Sequence, residues 1–587
     1  MTDHVRDAVI RVDLSTGSVD RERVPESWRH DFLGGKGLGA RYLYEDLPPG
    51  ADPLGPANLL AFTLGPLSGY LPGETRYAAV TKSPLTGAFL DSYSGGTFPD
   101  ALAGALDDCL GLLVTGVSDD PVVLTVEDGD ASLAPAETWG EDVTATCEAH
   151  DGAVACVGPA GEAGVGYATI ASDGGDHHAG RGGAGAVMGA KGLKAVVARG
   201  DPPEGLDDLR ERYERTYGDS DTGRWQAAGA TLESIDFANE VGALATRGWQ
   251  DHTFEGADGI GVEAAREAAT ERERDDAIRG GFRVGTDDGE SVPRGATPMS
   301  LGAGLGIDNF DAVADLGGVC DRLGMDVISA GSAVAWAIRA SETGLVERDL
   351  SFGDPAGARG LIEEIATRST PLGDALADGV AAAADRFGGD EFVPTVKAME
   401  LPAYDPSDAP AMALAYATSD RGGCHRRARP IEEEAFDGEA WDAADRVRRV
   451  VAAQTTRATL WSLVADDFVG ESLSDLGAEW LEAVGLAYDP AELATVGERI
   501  WTLVRLFNAR EGFTRADDRL PAALTDAVAF DPAEFERLLD AYYAARGWGP
   551  NGLPTRRTLA RLGLAGVVDA QTPLDDGVTT DPETADD

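Results

Sequence analysis

AGRGGAGAVMGAKGLKAV, residues 179–196, is the stretch around which the first third of the chain is organised. It is rich in glycine, carries Arg181, Lys191 and Lys194, and leads into an apolar run that predicts a strand over 195–198. Glycine lets a backbone approach a ligand closely and turn its N–H groups toward it, and beside an arginine such a loop binds phosphate or pyrophosphate. The alternative interpretation is a glycine turn that packs tightly on its own sheet.

Two common nucleotide-binding motifs do not fit this loop. A P-loop places Ser or Thr directly after Gly-Lys, whereas Lys191 and Lys36 are each followed by glycine. A dinucleotide fingerprint opens a strand–turn–helix unit with an acid about twenty residues on, but here a strand is predicted after Gly189. The loop therefore favours an anionic ligand other than ATP or NAD, and an NAD-dependent dehydrogenase is the third of three functional hypotheses.

The charge balance of the chain is strongly acidic. The 587 residues, enough for two to four packed units, include 102 acidic and 49 basic residues, a net charge of -53. Few of the basic residues are lysines. An acidic surface poor in lysine indicates a halophilic protein, because at 1 M salt charges are screened over about 3 Å. The same charge disfavours a nucleic-acid partner, which requires a basic face.

The compartment is predicted from the N-terminus, the apolar runs and the cysteines. MTDHVRDAVIRVDL alternates charged and apolar residues, as a strand does and a signal peptide does not, and no apolar run is long enough for a membrane span. Five cysteines without a CxxC pair are typical of reduced thiols in a cytoplasmic protein. They are Cys109, Cys147, Cys156, Cys320 and Cys424.

The pattern of the chain changes near residue 200. Before it, short alternating runs broken by Gly and Pro predict a β-rich domain; after it, helical periods predominate, with a weak seam near 395. The predicted fold class is α+β, an N-terminal β-rich domain over 1–200 followed by two mostly α-helical domains over 201–395 and 396–574. The acidic residues 575–587 predict a disordered tail.

Several stretches, in the same order along the chain, together resemble the aldehyde ferredoxin oxidoreductase family of tungsten-pterin enzymes. The resemblance implies the same three-domain fold, with the metal and two pterins on the β domain beneath the helices. The stretches are 34–47 (GGKGLGARYLYEDL), 65–69, 76–87 (RYAAVTKSPLTG), 94–96, the glycine loop, 321–331 (DRLGMDVISAG), 399–406, 415–425 (AYATSDRGGCH), 497–521 and 542–552.

Phosphate-binding positions follow from the resemblance. The implied cofactor is a tungsten or molybdenum bis-pterin whose phosphates are bridged by magnesium, and forked guanidinium donors with close backbone N–H groups suit such phosphates. Tyr93 replaces an asparagine that is usual in the family. No side chain is predicted as a metal ligand. The implied phosphate-binding residues are Arg76, Ser94, Gly95, Arg181, Gly182 and Gly183.

Asp321, Gly324 and Asp326 match the first of two family motifs that each hold a pterin ring. A structural explanation exists beside it: Gly324 suits the end of one helix, and Asp326 the N-cap of the next. Both interpretations can hold together, because helix ends present free backbone groups.

His425 matches the active-site histidine of the family, which orients or protonates a substrate oxygen near the metal. A structural histidine is the alternative. Arg427 stands where the family places a basic residue near the second pterin.

The sequence departs from the family at three places. Residues 271–300 contain no cysteine, where the family carries CxxCxxxC for a 4Fe-4S cluster. The second pterin motif, Asp-x-x-Gly-Leu-Cys, reads Trp-Ser-Leu-Val-Ala-Asp at 461–466, and Ala296 stands where the family has a glutamate near the metal. Because a cluster needs thiolates at most corners, we expect the 4Fe-4S cluster to be absent.

Two main functional hypotheses follow. The first is an oxidoreductase that converts a small aldehyde to a carboxylic acid with His425 in the acid–base role. Its electron acceptor is unknown, and the missing cysteines disfavour a ferredoxin. The second is a non-catalytic pterin-binding paralogue or partner subunit, favoured by the altered residues at 461 and 464. A homodimer is expected because it is common in the family.

Overall fold

A computed structural model describes residues 6–274, 278–521, 524 and 531–575. The described part of the first 200 residues contains strands and short helices. The strands are β1 (Ala8–Asp13), β2 (Ser18–Arg23), β3 (Leu60–Thr63), β4 (Tyr77–Lys82), β5 (Phe89–Ser94), β6 (Cys109–Thr115), β7 (Val122–Glu127), β8 (Asp130–Pro135), β9 (Ala153–Cys156), β10 (Ile170–Ser172), β11 (His177–Ala179) and β12 (Leu193–Arg199). The helices are α1 (Glu26–Phe32), α2 (Gly35–Asp46), α3 (Thr97–Ala105), α4 (Val143–Glu148), α5 (Pro159–Glu162) and α6 (Ala184–Ala190).

These strands form two packed sheets. The first has the order β2-β1-β6-β3-β4-β5 and the second the order β11-β10-β9-β12-β7-β8. The pairs β1–β6 and β7–β12 are parallel, and the other pairs are antiparallel. Side chains of a strand alternate between two faces, so Leu60 and Phe62 of β3 pack between the sheets while Ala61 packs against the helices.

The second part of the chain is mostly helical. Its helices are α7 (Asp207–Gly218), α8 (Asp221–Ala228), α9 (Glu233–Glu240), α10 (Val262–Ala268), α11 (Phe310–Leu323), α12 (Val327–Glu342), α13 (Pro355–Ala366), α14 (Pro371–Ala377), α15 (Val380–Phe387), α16 (Pro410–Ala417), α17 (Ile431–Asp437), α18 (Ala443–Leu463), α19 (Asp467–Glu471), α20 (Ala478–Ala483), α21 (Pro490–Arg510), α22 (Pro532–Arg546) and α23 (Arg556–Arg561). Short strands lie among them: β13 (Ala269–Arg272), β14 (Phe282–Thr286), β15 (Gly289–Ser291), β16 (Thr395–Val396) and β17 (Met399–Glu400).

Local sequence explains the two longest helices. Asp489 and Glu492 form a capping box at the start of α21, with Pro490 in its first turn. Asp442 and Asp445 form the equivalent box for α18. The buried faces of α18 and α21 pack on each other and on α2, which places the helical part directly on the first sheet.

The predicted α+β class, with strands first and helices after, is confirmed. The domain boundaries remain predictions, and residues 576–587 of the predicted tail lie outside the described residues. Helix α6 within the glycine loop was not predicted. Its glycines permit close packing, because a Cβ at Gly189 would lie 2.0 Å from the Gly161 carbonyl oxygen. Within the described ranges, the helices are each too short or too polar to cross a membrane.

All five lysines of the chain are buried. Lys36 is paired with Asp91 and Asp420, Lys82 with Glu511, Lys194 with Glu162 and Lys397 with Asp518, while Lys191 donates to the carbonyl of Gly116. The exposed surface therefore obtains its positive charge from arginine alone, against an excess of carboxylates.

We predict that this surface makes stability depend on salt. Raising KCl from 0.1 M to about 3 M should raise the apparent Tm by at least about 10 °C, because screening weakens repulsion between surface carboxylates. Differential scanning calorimetry measures the shift, with sorbitol at matched osmolality as a control that does not screen charge. An equal shift in sorbitol, or none in KCl, would contradict the explanation.

Candidate active site

A cavity of about 380 Å³ lies between the sandwich and the helical part. It is lined by the ends of β5 and β11, by the start of α12, and by turns that precede α17 and α19. Apolar side chains form part of its wall, among them Met299, Ile328, Tyr404 and Phe468. The predicted site residues that line it are Arg76, Ser94, Gly95, Arg181, Asp321, Asp326 and His425.

The glycine loop holds Arg181 in an unusual backbone conformation. Arg181, Gly182 and Gly183 have φ angles of +64°, +78° and +86°, in the left-handed region that is costly for a residue with a side chain. The Arg181 guanidinium donates to the carbonyls of Gly423 and Glu400, which fixes the loop against the helical part. The loop thus aims one arginine at the cavity.

Gly182, Gly183, Gly324 and Arg427 do not line the cavity. A Cβ at Gly183 would lie 2.3 Å from the carbonyl oxygen of Gly166, so packing alone requires glycine there. The structure therefore supports the packing interpretation at Gly182 and Gly183, while their role in phosphate binding stays a prediction.

Six buried nitrogen atoms of cavity-lining residues have no hydrogen-bond partner: Nδ1 of His425 and Nε of Arg76, Arg181, Arg274, Arg421 and Arg429. A buried donor without an acceptor costs about 1–3 kcal/mol, more when the group is charged. The oxygens of an anionic ligand would remove that cost, and phosphate oxygens match guanidinium donors in geometry and charge. The residues present therefore fit a phosphate-bearing ligand such as the pterin cofactor.

Arg76 is held in place by three carboxylates. Its Nη atoms lie 3.1 Å from Glu74, 3.3 Å from Asp466 and 3.6 Å from Asp467. Gly95 permits the approach of Glu74, because a Cβ at this glycine would lie 2.1 Å from the Glu74 carboxyl carbon. The arginine is thus oriented before any ligand arrives.

In the motif Asp321–Asp326, Gly324 ends one helix and Asp326 caps the next, as the structural interpretation predicts. Gly324 ends α11 at φ 71° and ψ 47°, and the Asp326 carboxylate accepts the N–H of Ser329 at 2.9 Å, which begins α12. Both Asp321 and Asp326 also line the cavity, where Asp326 lies 3.7 Å from Nε of Arg181. Their contact with a pterin ring remains a prediction.

The altered motif at 461–466 repeats this backbone with different side chains. Val464 ends α18 at φ 56° and ψ 40°, and the Asp466 carboxylate accepts the N–H groups of Phe468 and Val469 to begin α19. A β-branched residue is strained at positive φ, so this turn favours glycine. Where the first motif presents the Asp321 carboxylate, the second presents the indole of Trp461, which is buried and stacks on Tyr93 at 5.1 Å between centroids.

A cluster of four buried charges lies behind this stacked pair: Lys36, Asp91, Asp420 and Arg427. Nζ of Lys36 lies 3.1 Å from Asp91 and 2.5 Å from Asp420, and Arg427 pairs with the same two carboxylates. Burial alone would raise the pKa of Asp91, but Arg427 and Lys36 hold it well below its usual value. Arg427 and Lys36 also lie over the Trp461 ring, at 4.6 and 5.6 Å from its centroid.

His425 is neutral in this setting. Burial and the nearby charges of Arg429, Arg181 and Arg426 lower its pKa well below 6.5. A neutral imidazole has one donor and one acceptor nitrogen. It can therefore both donate and accept a hydrogen bond to a substrate oxygen or water in the cavity, and it is in the unprotonated form that can take up a proton.

A second cluster, Glu74, His177 and Glu273, lies beside Arg76. Nδ1 of His177 lies 3.3 Å from Glu74 and Nε2 lies 2.6 Å from Glu273. The ligand atoms lie within 4.8 Å of one another, close enough to reach one cation. However, Arg76 and Arg294 already pair with the two carboxylates. We therefore interpret the cluster as an ion-pair network that supports the cavity wall.

The cysteines do not provide the donor set of a 4Fe-4S cluster. Sγ of Cys147 and Sγ of Cys156 are 3.9 Å apart on α4 and β9, Cys320 is on α11, and Cys424 lies beside Arg421 at 3.1 Å. Residues 271–300 have none. Since a cluster needs thiolates at most corners, these residues do not fit one.

Comparison with known proteins agrees with this arrangement. The profile described as "Aldehyde ferredoxin oxidoreductase, N-terminal domain" matches residues 9–200, and the profile of domains 2 and 3 matches residues 208–564. The chain belongs to the aldehyde ferredoxin oxidoreductase family.

Three known proteins are similar to this chain over nearly its whole length. The tungsten-containing aldehyde ferredoxin oxidoreductase of Pyrococcus abyssi is 32% identical over 611 residues, covering 95% of this chain and 98% of that protein. The aliphatic sulfonate oxidoreductase WOR-like subunit of Pyrococcus furiosus is 25% identical, covering 95% of this chain and 96% of that protein. A chain in the BamBC active-site complex of benzoyl-coenzyme A reductase shares the fold, with a TM-score of 0.81 and 24% identity over 96% of this chain and 98% of that one.

Some cavity residues were missed by sequence analysis. Arg421 stands within the quoted stretch 415–425, so its position beside His425 was a usable signal. Glu74 and His177 carry no local signal, because they meet only when β11 passes the turn that precedes β4.

We predict that the four-charge cluster is essential for stability. Asp91→Asn should lower the apparent Tm by about 2–4 °C, because loss of one carboxylate leaves a buried cation uncompensated at a cost of about 3–5 kcal/mol. The control is Glu498→Gln, which removes the partly exposed carboxylate that pairs with the half-exposed Arg561 and should shift Tm by less than about 1 °C. Equal shifts for the two variants would contradict the assignment.

Proposed function

We propose that this protein oxidises a small aldehyde to a carboxylic acid at a tungsten or molybdenum bis-pterin site in the cavity. The observation that carries the proposal is that Arg76, Arg181 and Arg421 line the same cavity as His425, and that each of these side chains has a buried nitrogen without a hydrogen-bond partner. The whole-length similarity to tungsten-containing relatives supports it.

In this proposal, one group of cavity residues binds the phosphates of the cofactor and another group binds a pterin ring. Arg76, Arg181, Ser94 and Gly95 would hold the phosphates and their magnesium, and the helix ends at Asp321 and Asp326 would hold a pterin ring. When bound, the metal–pterin group supplies an acceptor for the two electrons that leave the aldehyde.

In this proposal, His425 accepts a proton that the reaction releases. Conversion of an aldehyde and water to an acid releases two protons and two electrons, and a neutral imidazole in the cavity can accept one of the protons. Ala296 also lines the cavity and offers no acid–base group. Of the two positions that the family resemblance places beside the metal, only His425 therefore offers an acid–base group.

The electron acceptor in this proposal differs from that of cluster-containing relatives. Because the cysteines do not fit a 4Fe-4S cluster, we propose that none is bound and that electrons leave to an acceptor other than a ferredoxin. A cytoplasmic small molecule that enters the cavity would meet this need.

We predict that His425→Gln lowers kcat about 100-fold or more with an aldehyde and a viologen dye, while pterin content stays constant. In the unaltered enzyme, kcat/KM should show no inflection near pH 6.5, because the pKa of His425 is lowered and its neutral form persists below that pH. Absorbance assays of dye reduction across pH 5–9 measure both the kcat of the variant and the pH dependence of kcat/KM.

The control for this variant is His30→Gln, whose ring is exposed and does not line the cavity, and whose activity should match that of the unaltered enzyme. Full activity in His425→Gln would remove the histidine from the proposed chemistry.

The second candidate is a non-catalytic pterin-binding paralogue or partner subunit. The stacking of Trp461 on Tyr93 favours it, because this pair and the charges behind it occupy the side of the site where the second motif differs. Dye reduction with a panel of aldehydes discriminates the candidates: inactivity of metal- and pterin-loaded protein, with co-purification of a cysteine-complete relative, would favour the second.

A further inference from the structure

Cys147 and Cys156 form a close pair of thiols apart from the cavity. Cys147 lies in the last turn of α4, Cys156 ends β9, and their sulfurs are 3.9 Å apart. Cys147 is partly exposed and Cys156 is buried. An oxidant from solvent can therefore reach the first sulfur, and the second is positioned to complete a disulfide.

The surroundings divide the roles of the two sulfurs. A hydrogen bond joins the two sulfurs, and the arrangement in which the Cys156 thiol is the donor lowers the pKa of Cys147. The same bond and burial raise the pKa of Cys156. Since the thiolate is the nucleophile, Cys147 attacks first and Cys156 resolves.

The pair is connected to the cavity through a turn. Thr144 of α4 donates its hydroxyl to the Gly174 carbonyl at 2.9 Å. This turn leads directly into Gly175, Asp176 and His177, which line the cavity. A disulfide between α4 and β9 would therefore limit the motion of α4, which contacts this turn.

We propose that Cys147 and Cys156 are a thiol-oxidation site that forms a reversible disulfide and thereby restrains residues 173–178 at the cavity. With glutathione disulfide as oxidant, the Cys147 thiolate attacks one sulfur and releases one glutathione thiolate, which takes up the Cys147 proton. The Cys156 thiol then loses its proton and displaces the second glutathione. Two protein thiols become one disulfide, and one glutathione disulfide becomes two thiols. A total shift of about 2 Å brings the sulfurs to bonding distance.

The test is thiol mapping of the full-length native protein equilibrated with glutathione disulfide. After alkylation, cleavage after glutamate at Glu141, Glu148 and Glu162 places the two cysteines in separate peptides. We expect these two peptides to be joined and to lose alkylation, while Cys109, Cys320 and Cys424 stay as thiols. Dithiothreitol should restore both thiols.

Single variants test the division of roles. Cys156→Ser should leave Cys147 as a stable mixed disulfide with glutathione, whereas Cys147→Ser should leave Cys156 unmodified, because it is buried. The matched control is Cys109→Ser, a buried cysteine on β6, which should form the disulfide like the unaltered protein.

The proposal would be overturned if the native unaltered protein kept both thiols while guanidinium-unfolded protein formed the disulfide under the same conditions. Hydrogen exchange measures the link to the cavity: residues 173–178 should exchange about threefold or more slowly in the oxidised form. An unchanged exchange rate at residues 173–178 would contradict the claim that the disulfide restrains this segment.

Discussion

Two buried carboxylates held between two buried cations are the contact on which the architecture depends. Asp91 belongs to β5 of the sandwich, and Asp420 and Arg427 belong to the helical part, while Lys36 comes from α2 between them. Removing such charges from water is costly unless each is paired. The pairing is complete only when the two parts of the chain are in register, so the cluster specifies their relative position.

That position brings together groups distant in sequence. The glycine loop supplies Arg181, the turn before β4 supplies Arg76, and the segment after α16 supplies Arg421 and His425. In a chain with a net charge of -53, the cavity wall has eight arginines beside seven carboxylates and is therefore far less negative than the chain as a whole. The cavity is therefore the place in this acidic protein where an anionic cofactor is best accommodated. Its two sides differ, since a helix end with a carboxylate faces one side and a buried indole lies behind the other.

Sequence analysis predicted the parts of the molecule that depend on local pattern. Alternating or apolar runs predicted strands at β1 and β12, and the helix ends at Gly324 and Asp326 followed from residue type alone. The contacts between parts were not predictable in this way. Nothing local shows that Lys36 meets Asp420, which is 384 residues away. Helix α6 was missed because glycine has a low helix propensity. The glycines of α6 allow close packing against other backbone, and propensity does not include that contact.

The departures from the family concentrate around one region of the site. Trp461 and Val464 alter the second motif, and the cysteines that would hold a cluster are absent from 271–300. Val464 keeps the left-handed turn of a glycine at a conformational cost. The turn that glycine would favour is thus present at 464, while the side chains of the second motif differ from those that the family resemblance implies.

Elemental analysis of the native protein for tungsten, molybdenum and iron, with extraction of pterin, tests the central claim most directly. The proposed account predicts about one tungsten or molybdenum per chain, with pterin and without iron. About four irons per chain would show that a cluster is bound despite the missing cysteines. Absence of both metal and pterin would contradict the oxidoreductase assignment itself.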